Sequence, residues 1–470
     1  MGAETGSGGK RVAVTTLGCK VNQYESAAFL SELAEREGVE IVPFEQAADV
    51  YVINTCAVTA RAGAQSRQLI RRAARCRRAR LVVTGCYAQV APQEVLELVG
   101  NPLCIVGNAH KERVAQIAAA GRSCDLEMYH GEMGDCRQVA PLLVKAATAR
   151  SRAVLKVQDG CSQACSYCIV PRARGRSRSV LPERVLRQAE IFAAAGHREA
   201  VLTGIHLGHY GRDLTPPGSL LGLLEQLLAR DLPLRYRLSS LEATEIGPDL
   251  LALLAAESRL LPHLHIPLQS GDDRILRAMN RPYDRAQFAA VIERCAAALP
   301  EAAIGIDVMT GFPGEDEPAF QHTYELLAAL PISYLHVFPY SQRAGTPAAR
   351  LPDQVPGPVR DQRAARLREL GESKKIAFYQ RFLGRQRRVL VEGAVNRPEV
   401  TDNGGHEQPE RLRGYTDNYI PVTFAAAGGA EAWRHREVMV LLRELEEAGV
   451  GGHLVNAGEN THRQGGDDAR

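Results

Sequence analysis

The sequence predicts an α/β protein in three parts: a parallel α/β domain, a longer βα series folded as a partial (β/α)6 barrel, and a small β-barrel. Three observations predict it. Short apolar runs alternate with helical stretches from Lys10 to about Ala120, the pattern of a parallel sheet. Six further strand candidates with helical stretches between them occupy residues 151–360. Short strands spaced by Gly and Asn turns fill residues 361–445.

A chain of 470 residues, 45% hydrophobic and 24% charged, has material for two or three domains. No run reaches the roughly 18 apolar residues of a membrane span, and "MGAETGSGGKR" lacks the apolar centre of a signal peptide. The expected compartment is the cytoplasm, with no membrane partner. Thiols stay reduced there, so eleven cysteines argue for metal or redox chemistry rather than disulfides. The net charge of +3 identifies no partner, since 57 basic residues face 54 acidic ones. "RQLIRRAARCRRAR" and "KKIAFYQRFLGRQRR" are basic runs suited either to phosphates or to solvated helix faces.

In residues 10–120 the strands are "RVAVTTLGC", "ADVYVINTC" and "ARLVVTGC", with helices such as "NQYESAAFLSELAERE" and "SRQLIRRAARC" between them. Each strand ends on a cysteine: Cys19, Cys56 and Cys86. Carboxyl ends of parallel strands share one edge, where ligands bind, so three thiols distant in sequence converge there. Residues 121–150 have no clear period and are rich in small and polar residues, which places a linker there. The second series reads "AVLKVQD", "EAVLTGI", "RYRLSSL", "HLHIPLQ", "AIGIDVMTG" and "YLHVFPY". After the Pro-rich "SQRAGTPAARLPDQVP" come the strands "RRVLVEGAV", "TDNYIPVTF" and "REVMVLLREL", and residues 446–470 read as a disordered tail.

Cys161, Cys165 and Cys168 form C-x3-C-x2-C just past the first strand of the second series. A structural zinc site closes its tetrahedron with a fourth ligand, and no second CxxC or His pair follows Cys168. Three soft thiolates on a four-iron cluster leave one iron open to an outside ligand. Cys76, Cys104, Cys124, Cys136 and Cys295 match no such pattern and read as incidental core or surface thiols.

That loop, with Tyr167 just before its third cysteine, resembles the radical S-adenosylmethionine superfamily. The resemblance implies a [4Fe-4S] cluster on Cys161, Cys165 and Cys168 whose open iron takes S-adenosylmethionine, which one electron cleaves to methionine and a 5'-deoxyadenosyl radical. "TLGCKVNQYES", "VINTCAVT" and "TGCYAQ" resemble the three cysteine motifs of the methylthiotransferases. This implies a second [4Fe-4S] cluster, on Cys19, Cys56 and Cys86, holding the sulfur to be transferred. The small terminal barrel resembles the TRAM module, an RNA-binding unit. "GCYAQ", "KVQDGCSQACSYCIVP" and "LTGIHLGHYG" are most similar to the branch that methylthiolates C2 of N6-threonylcarbamoyladenosine at position 37 of tRNA. Alternatives are the branches acting on isopentenyladenosine in tRNA or on a ribosomal protein, and a non-catalytic iron-sulfur RNA-binding protein. Ser162 and Arg172 depart from the family pattern, at positions that do not ligate a cluster.

The candidate S-adenosylmethionine contacts are Tyr167, Gly204 in "LTGIHLG", Ser239 and Glu242 in "LSSLEA", Gln269 in "HLHIPLQSG", and Gly311, Gly314 and Glu315 in "GFPGE". For the last three a turn with an acid at a helix start is an equal reading. His265, Ser270 and Asp307 stand near the same strand ends. The candidate tRNA contacts are Arg172, Arg174, Arg176 and Arg178 after the radical loop, and Lys374, Lys375, Arg385, Arg387 and Arg388 near the terminal barrel. Arg174 has a second reading inside the substrate pocket. The reaction also implies an electron donor such as flavodoxin or ferredoxin, and a sulfur source.

Overall fold

The structure is a computed structural model and describes residues 9–120, 125–145, 150–395 and 410–455. Cys124 and residues 456–470 of the expected tail lie outside them. The first sheet has six parallel strands in the order β2-β1-β3-β4-β5-β6: β1 Lys10–Thr16, β2 Val39–Val42, β3 Val50–Thr55, β4 Arg80–Gly85, β5 Leu103–Val106 and β6 Leu126–Tyr129. Every residue of β3 and β4 is buried, because helices cover both faces of a parallel sheet. Phe29 and Leu33 pack on Val12, Val52 and Val82 from one side, and Ile70 and Tyr87 on Ile53 and Val83 from the other. β6 corrects the reading of residues 121–150 as a linker, since Leu126 pairs with Leu103 at the sheet edge. Leu126 and Met128 are exposed, so this strand has no buried face to write a period into the sequence.

The second unit contains β7 Arg152–Lys156, β8 Gln158–Asp159, β9 Arg178–Ser179, β10 Glu199–Thr203, β11 Arg235–Leu238, β12 His263–Gln269, β13 Ala303–Thr310 and β14 Tyr334–Pro339. Two parallel sheets, β11-β10-β7 and β12-β13-β14, meet through a Tyr236–Leu260 bridge and make the partial barrel. β8 and β9 form an antiparallel ribbon at its carboxyl edge. Side chains alternate along each strand. Leu264, Ile266, Leu268, Ile304, Ile306 and Val308 pack into the main core, which turns His263, His265, Gly305 and Asp307 to the opposite, lumen face.

The third unit closes as a barrel, β15-β16-β17-β19-β18, from β15 Gln386–Ala394, β16 Glu410–Thr416, β17 Pro421–Ala426, β18 Glu437–Glu446 and β19 Gly449–Leu454. β19 falls in the expected disordered tail and corrects it: its glycines carry no strand propensity, but pairing with both β17 and β18 closes the barrel. "TDNYIPVTF" divides into a turn and β17. That turn caps the floor of the parallel barrel. Tyr419 lies 4.5 Å from the His263 ring and 4.9 Å from the Arg237 guanidinium. Arg237 donates to Asp417 O at 2.9 Å and to Glu199 Oε1 at 2.7 Å. With the floor filled, the lumen opens toward the strand carboxyl ends. Among the described residues no helix is long and apolar enough to cross a membrane.

Candidate active site

The loop Gly160–Cys168 leaves the barrel at the end of β8 and is pinned along its length. Cys161 N–H donates to Gly175 O at 3.0 Å, Ser166 N–H to Met279 O at 3.0 Å, and Asn280 Nδ2 to Ala164 O at 2.9 Å. Its thiols feel one another. Burial pushes the Cys168 thiol up to about 12, with Cys165 and Cys161 adding to it, and burial also raises Cys165. Such thiols keep their protons until a metal displaces them.

Two charged side chains reach these sulfurs. His206 Nδ1 lies 3.4 Å from Cys161 Sγ, and Arg281 Nη1 donates to Cys165 Sγ at 3.6 Å. Behind them, His206 Nε2 is 2.6 Å from Glu245 Oε1, and Arg281 pairs with Glu242. Glu242 and Glu245 hold each other in a reciprocal cap around the turn Ala243–Glu245. One chain of contacts therefore runs from Cys161 through His206, Glu245, Glu242 and Arg281 to Cys165. Burial opposes charge on His206, but Cys161 and Glu245 outweigh it and push the imidazole up to about 9.

The other three thiols stand at the carboxyl ends of the adjacent strands β1, β3 and β4. Cys19 opens the helix Lys20–Ala34, Cys56 follows β3, and Cys86 follows β4. The chain reaches them through two left-handed glycines, Gly18 (φ 98°) and Gly85 (φ 96°). A Cβ on Gly18 would sit 2.9 Å from Cys56 Sγ, so the first loop crosses directly over the second thiol. Burial, followed by Cys86, pushes Cys56 up to about 11, and Cys19 adds to the shift. Arg343, from the loop after β14, is close enough to Cys56 to feel its charge, and its Nε and Nη2 are buried without a hydrogen-bond partner. Asn108 Nδ2 is 4.0 Å from Cys86 Sγ.

A buried charge network joins the two thiol sets. Arg174, six residues after Cys168 and 1% exposed, donates from Nη1 to Glu25 Oε1 (3.0 Å) and Asp159 Oδ1 (2.8 Å), and from Nη2 to Asn22 Oδ1 (2.5 Å). Asn22 Nδ2 donates onward to Leu17 O (2.7 Å) and Thr55 O (3.0 Å), in the loops that carry Cys19 and Cys56. Lys156 Nζ bonds Asp159 (2.7 Å) and Glu25 (3.2 Å), and Lys111 pairs with Glu25. Three cations thus face two carboxylates in the joint.

The structure divides the other sequence candidates. Tyr167 packs edge-on to Phe312 at 6.4 Å, and its phenol, raised by burial, feels Arg281, Cys165, Cys168 and Glu242. Ser239 Oγ is buried without a partner, and Gln269 sits at φ 71° where the β12–β13 register shifts. Gly204 is pressed against Gln158, where a Cβ would meet Oε1 at 2.7 Å. Gly311, Gly314 and Glu315 form a turn: Gly311 N–H donates to Glu315 Oε1 at 2.7 Å, Arg363 Nη1 donates to the same atom at 2.9 Å, and Gly314 N–H donates to Asp353 O at 3.0 Å. Four candidate tRNA contacts are corrected. Arg174 is buried in the joint. Lys374 Nζ is spent on Ala328 O and Leu330 O at a helix end, and Arg387, 11% exposed at its side chain, is held by Glu301 and Asp417. Arg178 is likewise buried, on Arg174 O. Arg172, Arg176 and Arg388 are exposed, while Lys375 pairs with Glu372 and the half-exposed Arg385 with Glu301. His206 and Asn22 stood inside quoted motifs but had no role, and Arg281, Glu245 and Arg343 carried no signal beyond their charge.

Two sets of three soft thiols with basic donors beside the sulfurs fit sulfur-ligated iron clusters, because a cluster core with its thiolates is anionic. The comparisons agree. Residues 11–107 match the uncharacterized protein family UPF0004, and residues 155–327 match the radical SAM superfamily. The "Threonylcarbamoyladenosine tRNA methylthiotransferase MtaB" of Bacillus subtilis (strain 168) is 40% identical over 417 residues, covering 88% of this chain and 90% of that protein. The protein of the same name from Aquifex aeolicus (strain VF5) is 39% identical over 383 residues, 81% of this chain and 92% of its own. Among solved structures, the radical S-adenosylmethionine methyltransferase TsrM from Kitasatospora setae, with cobalamin and a [4Fe-4S] cluster bound, shares the fold over 73% of this chain and 77% of its own, with a TM-score of 0.55 and 15% identity. Identity of that level across both thiol-bearing units places the chain in the radical S-adenosylmethionine methylthiotransferase family.

Proposed function

We propose that the protein methylthiolates C2 of N6-threonylcarbamoyladenosine at position 37 of tRNA, using two [4Fe-4S] clusters and S-adenosylmethionine. The observation that carries this reading is the pairing of two three-thiol sets, each on the carboxyl edge of its own parallel strands, through the Arg174 joint. The names and extents of the 40% and 39% identical relatives support the tRNA and the modified base. When bound, the clusters and S-adenosylmethionine supply one-electron cleavage of the cofactor and the sulfur and methyl of the new group.

The chain's own residues do the rest. Cys161, Cys165 and Cys168 hold one cluster, with His206 and Arg281 offering protons to two of the sulfurs. Cys19, Cys56 and Cys86 hold the other, with Arg343 and Arg174 as nearby cations. Arg174 and Asn22 fix the two loops against each other, so sulfur and target carbon meet without a search. The buried surroundings, with Ser239 Oγ unpaired and Tyr167 alongside, exclude water from the cofactor. Exposed Arg172, Arg176 and Arg388 contact phosphates, with affinity that falls as salt rises. The base leaves its stack to enter the lumen. An electron donor such as flavodoxin or ferredoxin and a sulfur source complete the cycle, in the cytoplasm.

The test is anaerobic turnover of the reconstituted protein with tRNA bearing threonylcarbamoyladenosine, read by mass spectrometry of nucleosides. A methylthio derivative with 5'-deoxyadenosine is expected. Deoxyadenosine alone, with product appearing on isopentenyladenosine tRNA or a ribosomal protein instead, would overturn the substrate.

A further inference from the structure

The lumen of the parallel barrel carries a tier of polar and aromatic side chains that neither cluster uses. His265 on β12, Asp307 on β13 and His336 on β14 share the lumen face. His265 Nε2 is 3.0 Å and His336 Nδ1 3.2 Å from the same atom, Asp307 Oδ1. Ser240, past the end of β11, holds the other nitrogen of His265 at 2.6 Å. Below them the Tyr334 ring lies across Gly305, where any Cβ would strike it, and its hydroxyl meets His263 Nε2 at 2.8 Å. The tier is open on one side. The His336 side chain is 53% exposed, and Phe338, two residues on and on the same face, is an exposed aromatic at 44%.

Buried His–Asp pairs are ordinary in protein cores, but this one is only partly buried and ends in an exposed aromatic inside a concave barrel. Large exposed rings in concavities mark ligand sites. Its charge pattern is mixed. Asp307 accepts, His336 has a ring nitrogen with no partner among the described residues, and Lys20, exposed beside Cys19, is near enough to weigh on His263. A ligand matching that pattern has a flat ring, hydrogen-bond donors and an anionic end.

We infer that His265, Asp307, His336 and Phe338, with Lys20 nearby, form the binding site for the modified nucleoside: Phe338 stacks on the purine, Asp307 and His336 take the N–H and hydroxyl groups of the N6-substituent, and Lys20 takes its carboxylate. This rests on the function proposed above and names the residues that read the substrate. An apolar N6-substituent would cover the half-exposed His336 ring without answering its free ring nitrogen, so the tier also selects against it.

The experiment uses the full-length, cluster-reconstituted protein and anticodon stem-loop RNA carrying either threonylcarbamoyladenosine or plain adenosine at position 37. Binding of each is measured by fluorescence anisotropy for the wild type, Asp307→Asn, His336→Ala and Lys20→Met, together with binding of S-adenosylmethionine. The wild type is expected to prefer the modified loop, and each variant to lose about tenfold of that preference, the scale of one hydrogen bond to a charged group. His336 and Lys20 are exposed, so their replacement leaves the core intact. Preference retained in all three variants, or a loss confined to S-adenosylmethionine binding, overturns the site while the proposed function stands. A wild type that makes no methylthio product from this tRNA overturns the function, and the site with it.

Discussion

The two thiol sets present three cysteines each by opposite means. Cys161, Cys165 and Cys168 lie within eight residues on one pinned loop, whereas Cys19, Cys56 and Cys86 span 68 residues and meet only because β1, β3 and β4 are neighbours. The first set carries its spacing in the local chain, while its charges, His206 and Arg281, come from elsewhere in the barrel and touch two of its sulfurs. The second is positioned by a whole sheet, with Arg343 and Arg174 reaching it from the other unit. A local site is broken by changing its loop, a dispersed one by changing packing far from any sulfur.

The largest test is to remove one cysteine from each set. Cys161→Ala is expected to abolish 5'-deoxyadenosine formation. Cys56→Ala is expected to retain it while making no methylthio nucleoside, and each variant should hold about half the wild-type iron, the content of one cluster of two. Methylthio product from Cys56→Ala would remove the second cluster from the reaction.

The joint comes next. Arg174→Met leaves Glu25 and Asp159 buried with fewer cations, and breaking a buried pair costs about 3–5 kcal/mol. Denaturant unfolding of the metal-free protein is expected to show that loss. Arg172→Ala, two residues away but exposed, is expected to change stability by less than about 0.5 kcal/mol. Equal effects would mean that the joint holds nothing.

A smaller effect separates the charged side chains beside the two sets. Hydrogen bonds and positive charge at cluster sulfurs raise the reduction potential. His206→Leu is therefore expected to make the midpoint of the radical cluster more negative and leave the other unchanged, in a redox titration followed by electron paramagnetic resonance. Arg343→Met is expected to do the reverse. A shift of both clusters in either variant would mean that these charges do not act on one set each.

The local set was legible in the sequence because its ligands share one loop, and the dispersed set because three apolar runs each ended on a cysteine. The six barrel strands were legible for the same reason, an apolar run facing a buried core. What was not legible depends on partners distant in sequence. Arg174 stands in a run of exposed arginines, and nothing local says that Glu25, 149 residues earlier, waits for it. β6 and β19 lack a buried face or strand propensity and exist through their neighbours. His206 and Arg281 matter through the sulfurs that they reach across the barrel mouth.

Glu315 supplies the smallest effect and a control that belongs to neither thiol set. Burial pushes its carboxyl up to about 7, against the pull of Gly311 N–H and Arg363, with Glu317 adding to the rise. The folded protein then holds a proton that the unfolded chain releases above about pH 4.5, so stability from this group is full below that pH and is lost as pH rises toward about 7. The loss is about 3 kcal/mol, at roughly 1.4 kcal/mol for each pKa unit. Glu315→Gln keeps the shape, cannot ionise, and is expected to flatten that part of the slope in urea unfolding between pH 5 and pH 8, approximate bounds set by the two pKa values. Because other carboxylates titrate alike in both proteins, the difference between the two curves isolates Glu315. If the curves run parallel, the carboxyl is ionised throughout and the Arg363 contact outweighs its burial.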